Sequence, residues 1–137
     1  MLKNMNEDKD LLLKYLCMAL PYGVKLHVKG EYHKYHKLSS VDVDAELIYY
    51  FEGLNLYDQW FGNCKPYLRP MSSMTEEEIK EFTSIHENVF VVGKNIYTAI
   101  LDIDSINWLL EHHFDFMGLI PKDLAIEVTE ENNPYKE

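Results

Sequence analysis

Apolar and polar positions alternate in blocks along this chain, and the period of each block names its element. Leu12, Leu13, Leu16, Ala19 and Leu20 recur at the spacing of one helical face. That stripe predicts a first helix, capped by Asn6 or Asp8 and stopped by Pro21-Tyr22-Gly23. Two stretches of period two follow, Val24–Gly30 and Val41–Leu47. Pairing them antiparallel puts Lys25 against Glu46, His27 against Asp44 and Lys29 against Asp42. The same register sets Val24 against Leu47, Leu26 against Ala45 and Val28 against Val43 on the other face. One alignment therefore buries the apolar residues and cancels the charges together, because strand side chains alternate. The second arm extends to Phe51, where Ile48 and Tyr50 make its polar face apolar, which predicts a strand entering the sheet interior.

Farther along, Glu52-Gly53-Leu54-Asn55 reads as a turn and Leu56–Asn63 as one helical turn or an irregular loop. Cys64–Leu68 reads as a short edge strand, since Pro66 lacks the amide donor of a central strand. Thr75-Glu76-Glu77-Glu78 is a capping box, with Met74 and Ile79 at the positions of a hydrophobic staple. The helix it opens runs to about His86, with Ile79, Phe82 and Ile85 inward. Val89–Val92 and Ile96–Leu101 predict a hairpin around Gly93-Lys94-Asn95. Asp104 caps a helix from Ser105 to about His113, Phe114–Pro121 is a loop, and Leu124–Val128 adds an edge strand. Residues 129–137 read as a flexible polar tail. Strands joined mainly by hairpins predict a single α+β domain over 1–137, an antiparallel sheet with about three helices packed on it.

Length and composition agree with one domain: 137 residues, 47% of them hydrophobic, suffice for one packed core. Charge adds more. The net charge is −10, yet residues 1–37 carry seven lysines against four acids, while the rest carry six basic residues against nineteen acids. Such asymmetry points to an electrostatic partner for one half or the other. Two cysteines make no disulfide framework, and Cys17 lies in an apolar helical pattern where a thiol packs as a small hydrophobe. The first ten residues are polar and acidic, unlike a signal peptide, and no apolar run approaches the ~18 residues of a membrane span. A cytoplasmic location without a membrane partner is the expectation.

The candidate working surface is the arm between the first two strands. Tyr32, His33, Lys34, Tyr35, His36 and Lys37 interleave basic groups and rings, with Glu31 as the one acid from 31 to 40. Such a tip docks on an acidic protein, with tyrosines as contact anchors, or grips phosphates while a ring stacks on a base. The net charge disfavours long nucleic acid, so a protein partner is expected.

Catalytic signatures are absent from the sequence. His112 and His113 point about 100° apart on a helix and need help from Asp102, Asp104 or Asp115 to share an ion. A helix C-terminus already accounts for both histidines, because cations offset its dipole. Asp102-Ile103-Asp104 resembles a magnesium-binding acidic pair, but Asp104 serves as a cap. Ser72 and Ser73 lack a nucleophile elbow. Arg69, between Pro66 and Pro70, is expected to pair with an acid of this chain. No catalytic residue, metal ligand or cofactor is assigned. Two alternatives to a binding protein remain: an acidic DNA mimic, and a small metal-dependent hydrolase using His112, His113 and nearby acids.

The run Lys65-Pro66-Tyr67-Leu68-Arg69-Pro70-Met71-Ser72-Ser73-Met74-Thr75-Glu76-Glu77-Glu78 resembles a group of small uncharacterised proteins. These recur in phages and mobile elements of Bacteroides-type gut bacteria. His112-His113-Phe114-Asp115-Phe116, Gly118-Leu119-Ile120-Pro121 and Leu20-Pro21-Tyr22-Gly23-Val24 belong to the same pattern. The resemblance implies a small accessory protein acting in the bacterial cytoplasm, regulatory or counter-defensive in role, and transfers no functional residue.

Overall fold

A computed structural model of the chain describes residues 2–30, 35–85, 89–92, 95–98 and 103–136. Helix α1 (Leu2–Ala19) turns Leu12, Tyr15, Leu16 and Ala19 inward and ends where Gly23 takes a left-handed φ of 71°. It is followed by β1 (Lys25–Val28), β2 (His36–Asp42), β3 (Leu47–Glu52), β4 (Asn55–Trp60) and β5 (Cys64–Pro70). Then come α2 (Glu76–Ile85), the hairpin β6 (Val89–Val92) and β7 (Asn95–Thr98), α3 (Ile103–Glu111), β8 (Phe114–Asp115) and β9 (Ile126–Glu127). The main sheet runs β4-β3-β2-β1-β5-β8, with β9 also on β5; only β8 and β9 pair in parallel. The fold is α+β, as the sequence predicts.

The sheet has two unlike faces. Leu26 and Val28 of β1, Leu38 of β2, Ile48 and Tyr50 of β3, and Cys64 and Leu68 of β5 form one buried cluster with the α1 stripe. The helix thus covers one side of the sheet. A second cluster of Met74, Phe82, Trp108, Leu109 and Phe114 locks α2 and α3 against β8. At its start the capping box is complete: the Glu78 amide donates to the Thr75 hydroxyl at 3.1 Å, and the Thr75 amide donates to the Glu78 carboxylate at 3.0 Å. Met74 is buried and packs with Ile79, as the staple requires.

The first hairpin differs from its expected register. β1 pairs with the near end of β2, Lys25 against Lys37 and Leu26 against His36. Val41–Leu47 is not one strand: β2 ends at Asp42, residues 43–46 reverse the chain, and β3 begins at Leu47. The cause is local. The Asp42 carboxylate accepts the Ala45 N–H at 3.0 Å, and Glu46 adopts a φ of 57°. Aspartates that bond their own backbone favour such a turn over a ladder. His36 then stands across from Leu26 where Ala45 was expected, Val43 is exposed, and Ile48 and Tyr50 of β3 are buried across β2.

Three further expectations change. Leu56–Asn63 is a full edge strand, β4, plus one 3-10 turn at Phe61–Asn63, joined to β3 through Gly53 at φ 62°. β5 is a hub, not an edge, with β1, β8 and β9 all bonded to it. Pro66 is tolerated because β9 joins only from Tyr67 onward, where the Val128 N–H donates to the Leu68 carbonyl. The amide that proline lacks therefore has no ladder partner to lose. Cys17 is exposed, one position off the buried stripe, whereas Cys64 is buried and its thiol is pushed up to about 12 by desolvation. Among the described residues no helix is long and apolar enough to cross a membrane.

Candidate functional site

With α1 covering one face of the sheet, the odd-numbered residues of β1 point to the other. Lys25 stands opposite Lys37 of β2, and His27 opposite Lys65 of β5. The Lys29 amide bonds the Asn63 carbonyl at 3.0 Å, which continues the β1–β5 register one step. The Lys25 ammonium lies 4.8 Å from the centre of the Tyr35 ring, and Tyr35 meets Tyr67 edge-on at 6.5 Å. Tyr35 remains 43% exposed. The outer face of β2-β1-β5 is thus a lattice of cations and tyrosines.

The acids expected along β1 are elsewhere. Asp42 closes the β2–β3 turn, and Glu46 pairs with Lys9 of α1 at 3.8 Å. Among the described residues no carboxylate pairs with Lys25, Lys29 or Lys37, and Lys65 pairs with the exposed Asp123 at 3.0 Å. The basic surface is therefore larger than the sequence predicts. The two stems part: the Lys25 ammonium lies over the Tyr35 ring, while the Lys37 chain runs beside Gly23.

Of the six expected contact residues, Tyr32, His33 and Lys34 lie outside the described residues. Tyr35 and Lys37 are exposed on the outer face. His36 turns inward, 6% exposed, with its ring 4.5 Å from Tyr50. Its pairing with the buried Leu26 fixes that direction. Sequence reasoning missed Lys25, His27, Lys29 and Lys65 as members of the surface. Their alternation was visible, but an incorrect partner strand cancelled it.

The other candidate cluster does not converge. The His112 ring stacks on Trp108 at 3.9 Å, with its Nδ1 2.8 Å from the Trp108 carbonyl. The His113 ring stacks on Tyr135 at 3.7 Å and 9°. Burial, with the charges of His112, Arg69 and Lys25, holds His113 well below the usual histidine range, at about 4. Both oxygens of the buried Asp115 accept backbone amides, from Leu119 at 2.8 Å and Ile120 at 2.9 Å. Among the described residues no three metal-ligating side chains come together. Arg69 does pair within the chain: its guanidinium lies 4.1 Å from the Phe114 ring centre and grips Glu78 through two bonds, of 2.6 and 2.8 Å.

Four carboxylates form ion pairs. Asp8 meets Lys122 at 3.5 Å, Glu46 meets Lys9 and Asp123 meets Lys65, three pairs joined through the consecutive residues Asp8-Lys9 and Lys122-Asp123, while Glu78 meets Arg69 elsewhere. Comparison with models of protein families, with curated proteins and with solved structures gave no match.

Proposed function

We propose that this chain is a non-catalytic accessory protein of a phage or mobile element. It binds an acidic protein surface of the host or the phage through the outer face of β1 and β2. The observation that carries this reading is that Lys25 and Lys37 share the outer face with the half-exposed Tyr35, and neither has a carboxylate partner among the described residues. Cations without an internal counter-ion complement an acidic partner surface. Tyrosine beside cations supplies contact area at low entropy cost. Asp8, Glu46, Glu78 and Asp123 are already neutralised by cations of the chain, which supports this reading over DNA mimicry, where carboxylates stand free. The separate stacking partners of His112 and His113 support it over metal-dependent hydrolysis. The accessory role, regulatory or counter-defensive in the bacterial cytoplasm, rests on the resemblance over Lys65–Glu78 and its companion blocks.

The test is affinity capture from phage-infected cells with the wild-type chain and with the double variant Lys25→Glu/Lys37→Glu. Wild type is expected to retain a discrete acidic protein, released by rising salt, and the variant to retain none of it. Equal recovery on both baits overturns the proposal.

A further inference from the structure

A second site lies on the same sheet beyond the Lys25–Lys37 pair. Where β1 and β5 meet the Phe61–Asn63 turn, a hollow of about 500 Å³ is lined by His27, Lys29, Gly62, Asn63, Lys65 and Ile126. We infer that this hollow binds a phosphomonoester. The inference goes beyond the protein-docking face and does not rest on it.

Register brings two lysines and a histidine together. His27 of β1 and Lys29, just past its end, are two residues apart, about 7 Å along the chain, and Lys65 stands directly across from His27. Two lysines and an imidazole thus line one hollow from two strands. Gly62 contributes no side chain to the wall, and Ile126 offers an apolar surface to the group that carries the phosphate. Asn63 is held in place: its amide donates to Gln59 at 3.0 Å and its carbonyl accepts the Lys29 N–H.

Asp123, which does not line the hollow, competes for one of its lysines. The Asp123 carboxylate sits 3.0 Å from the Lys65 ammonium, with the Asp123 side chain 90% exposed. Exposed pairs of this kind contribute little to stability, so a stronger anion displaces the carboxylate readily. A phosphomonoester carries about −1.5 to −2 charges and three acceptor oxygens, against one charge for a carboxylate or a phosphodiester. Pocket volume points the same way: about 500 Å³ accommodates the phosphate together with a small organic group. A long phosphodiester chain is opposed by the net charge of −10.

The phosphate has two potential sources, a free nucleotide or a phosphorylated side chain on a protein. The full chain is titrated with AMP and, separately, with a phosphoserine peptide, followed by amide chemical shifts in NMR. Adenosine and the unphosphorylated peptide are the controls. At least one phosphorylated probe is expected to shift the amides of Lys29, Asn63 and Lys65, and the tighter of the two identifies the source. Lys29→Gln/Lys65→Gln should weaken that probe about tenfold, and Asp123→Asn should tighten it about threefold by removing the internal competitor. Lys37→Glu, which tests the docking face, should leave the titration within about twofold. The inference is overturned if neither probe shifts these amides, if the unphosphorylated controls bind equally, or if the double glutamine variant binds as the wild type does.

Discussion

Tyr135 donates its hydroxyl to the carbonyl of Tyr67 at 2.8 Å, and the same oxygen accepts the Lys25 N–H at 2.9 Å. The β1–β5 register would oppose Lys25 and Tyr67 next, so the phenol joins the two strands where their direct pairing stops. Tyr135→Phe leaves a backbone donor and acceptor of two strands without that partner. The expected cost is about 1–3 kcal/mol, read as a lower melting temperature, with faster hydrogen exchange at the Lys25 amide. An unchanged exchange rate there would show that the hydroxyl does not hold the seam.

His113 packs against that same ring, and its depressed pKa predicts a pH dependence. Unfolded, the imidazole titrates near its ordinary value of about 6.5; folded, it titrates at about 4. Between those values the unfolded chain binds more protons, so stability is full above about 6.5 and falls as pH drops toward 4. His113→Asn removes the titration and suits the left-handed backbone, φ 63°, at this position. Denaturant melts across pH 7 to 4 should give a shallower slope for the variant than for the wild type.

Glu78 governs a lower window. Burial pushes its carboxyl up, but the Arg69 guanidinium and the Thr75 backbone and hydroxyl pull it down further, to about 2. A depressed carboxylate stabilises the fold above its ordinary value near 4.5, and that contribution is lost as pH falls from there toward 2. Glu78→Gln should be less stable than wild type at pH 7 by about 1–3 kcal/mol, and the gap should close by pH 2. A gap that persists at pH 2 would assign the loss to packing instead of charge.

The lysine pair predicts a gain. Lys37→Glu places a carboxylate on the residue across from Lys25, which has no carboxylate partner among the described residues, an attraction worth about 0.2–1 kcal/mol. Thermal melts at low salt should therefore show the single variant more stable than wild type, even as partner capture declines. A variant that is both less stable and inactive would make the Lys25–Lys37 arrangement structural.

Much of this architecture is legible in the residues. The α1 stripe, the Thr75–Glu78 box, the β6–β7 hairpin and the Arg69 ion pair all follow from short-range chemistry, which the sequence displays. The first register does not, because two choices of partner for β1 satisfy the apolar pattern. The decision falls to the Asp42 turn, which breaks the expected second arm and leaves His36–Lys37 of β2 across from β1. β4 escaped notice since its residues are mostly exposed and carry no alternation of burial. The register error carries to the outer face: pairing β1 with Val41–Leu47 cancels its odd-numbered basic residues and leaves only the Tyr32–Lys37 end free. Tyr135 gave no signal at all, standing in a polar run that nothing local directs inward.

The residue that closes this seam, Tyr135, lies 110 positions from Lys25 and 68 from Tyr67. During synthesis β1 and β5 leave the ribosome long before the segment that bridges them, and β8 and β9, which share β5, arrive late as well. A nascent chain stalled before Phe114 would hold β5 with its later partners missing, an invitation to wrong pairings or to chaperones.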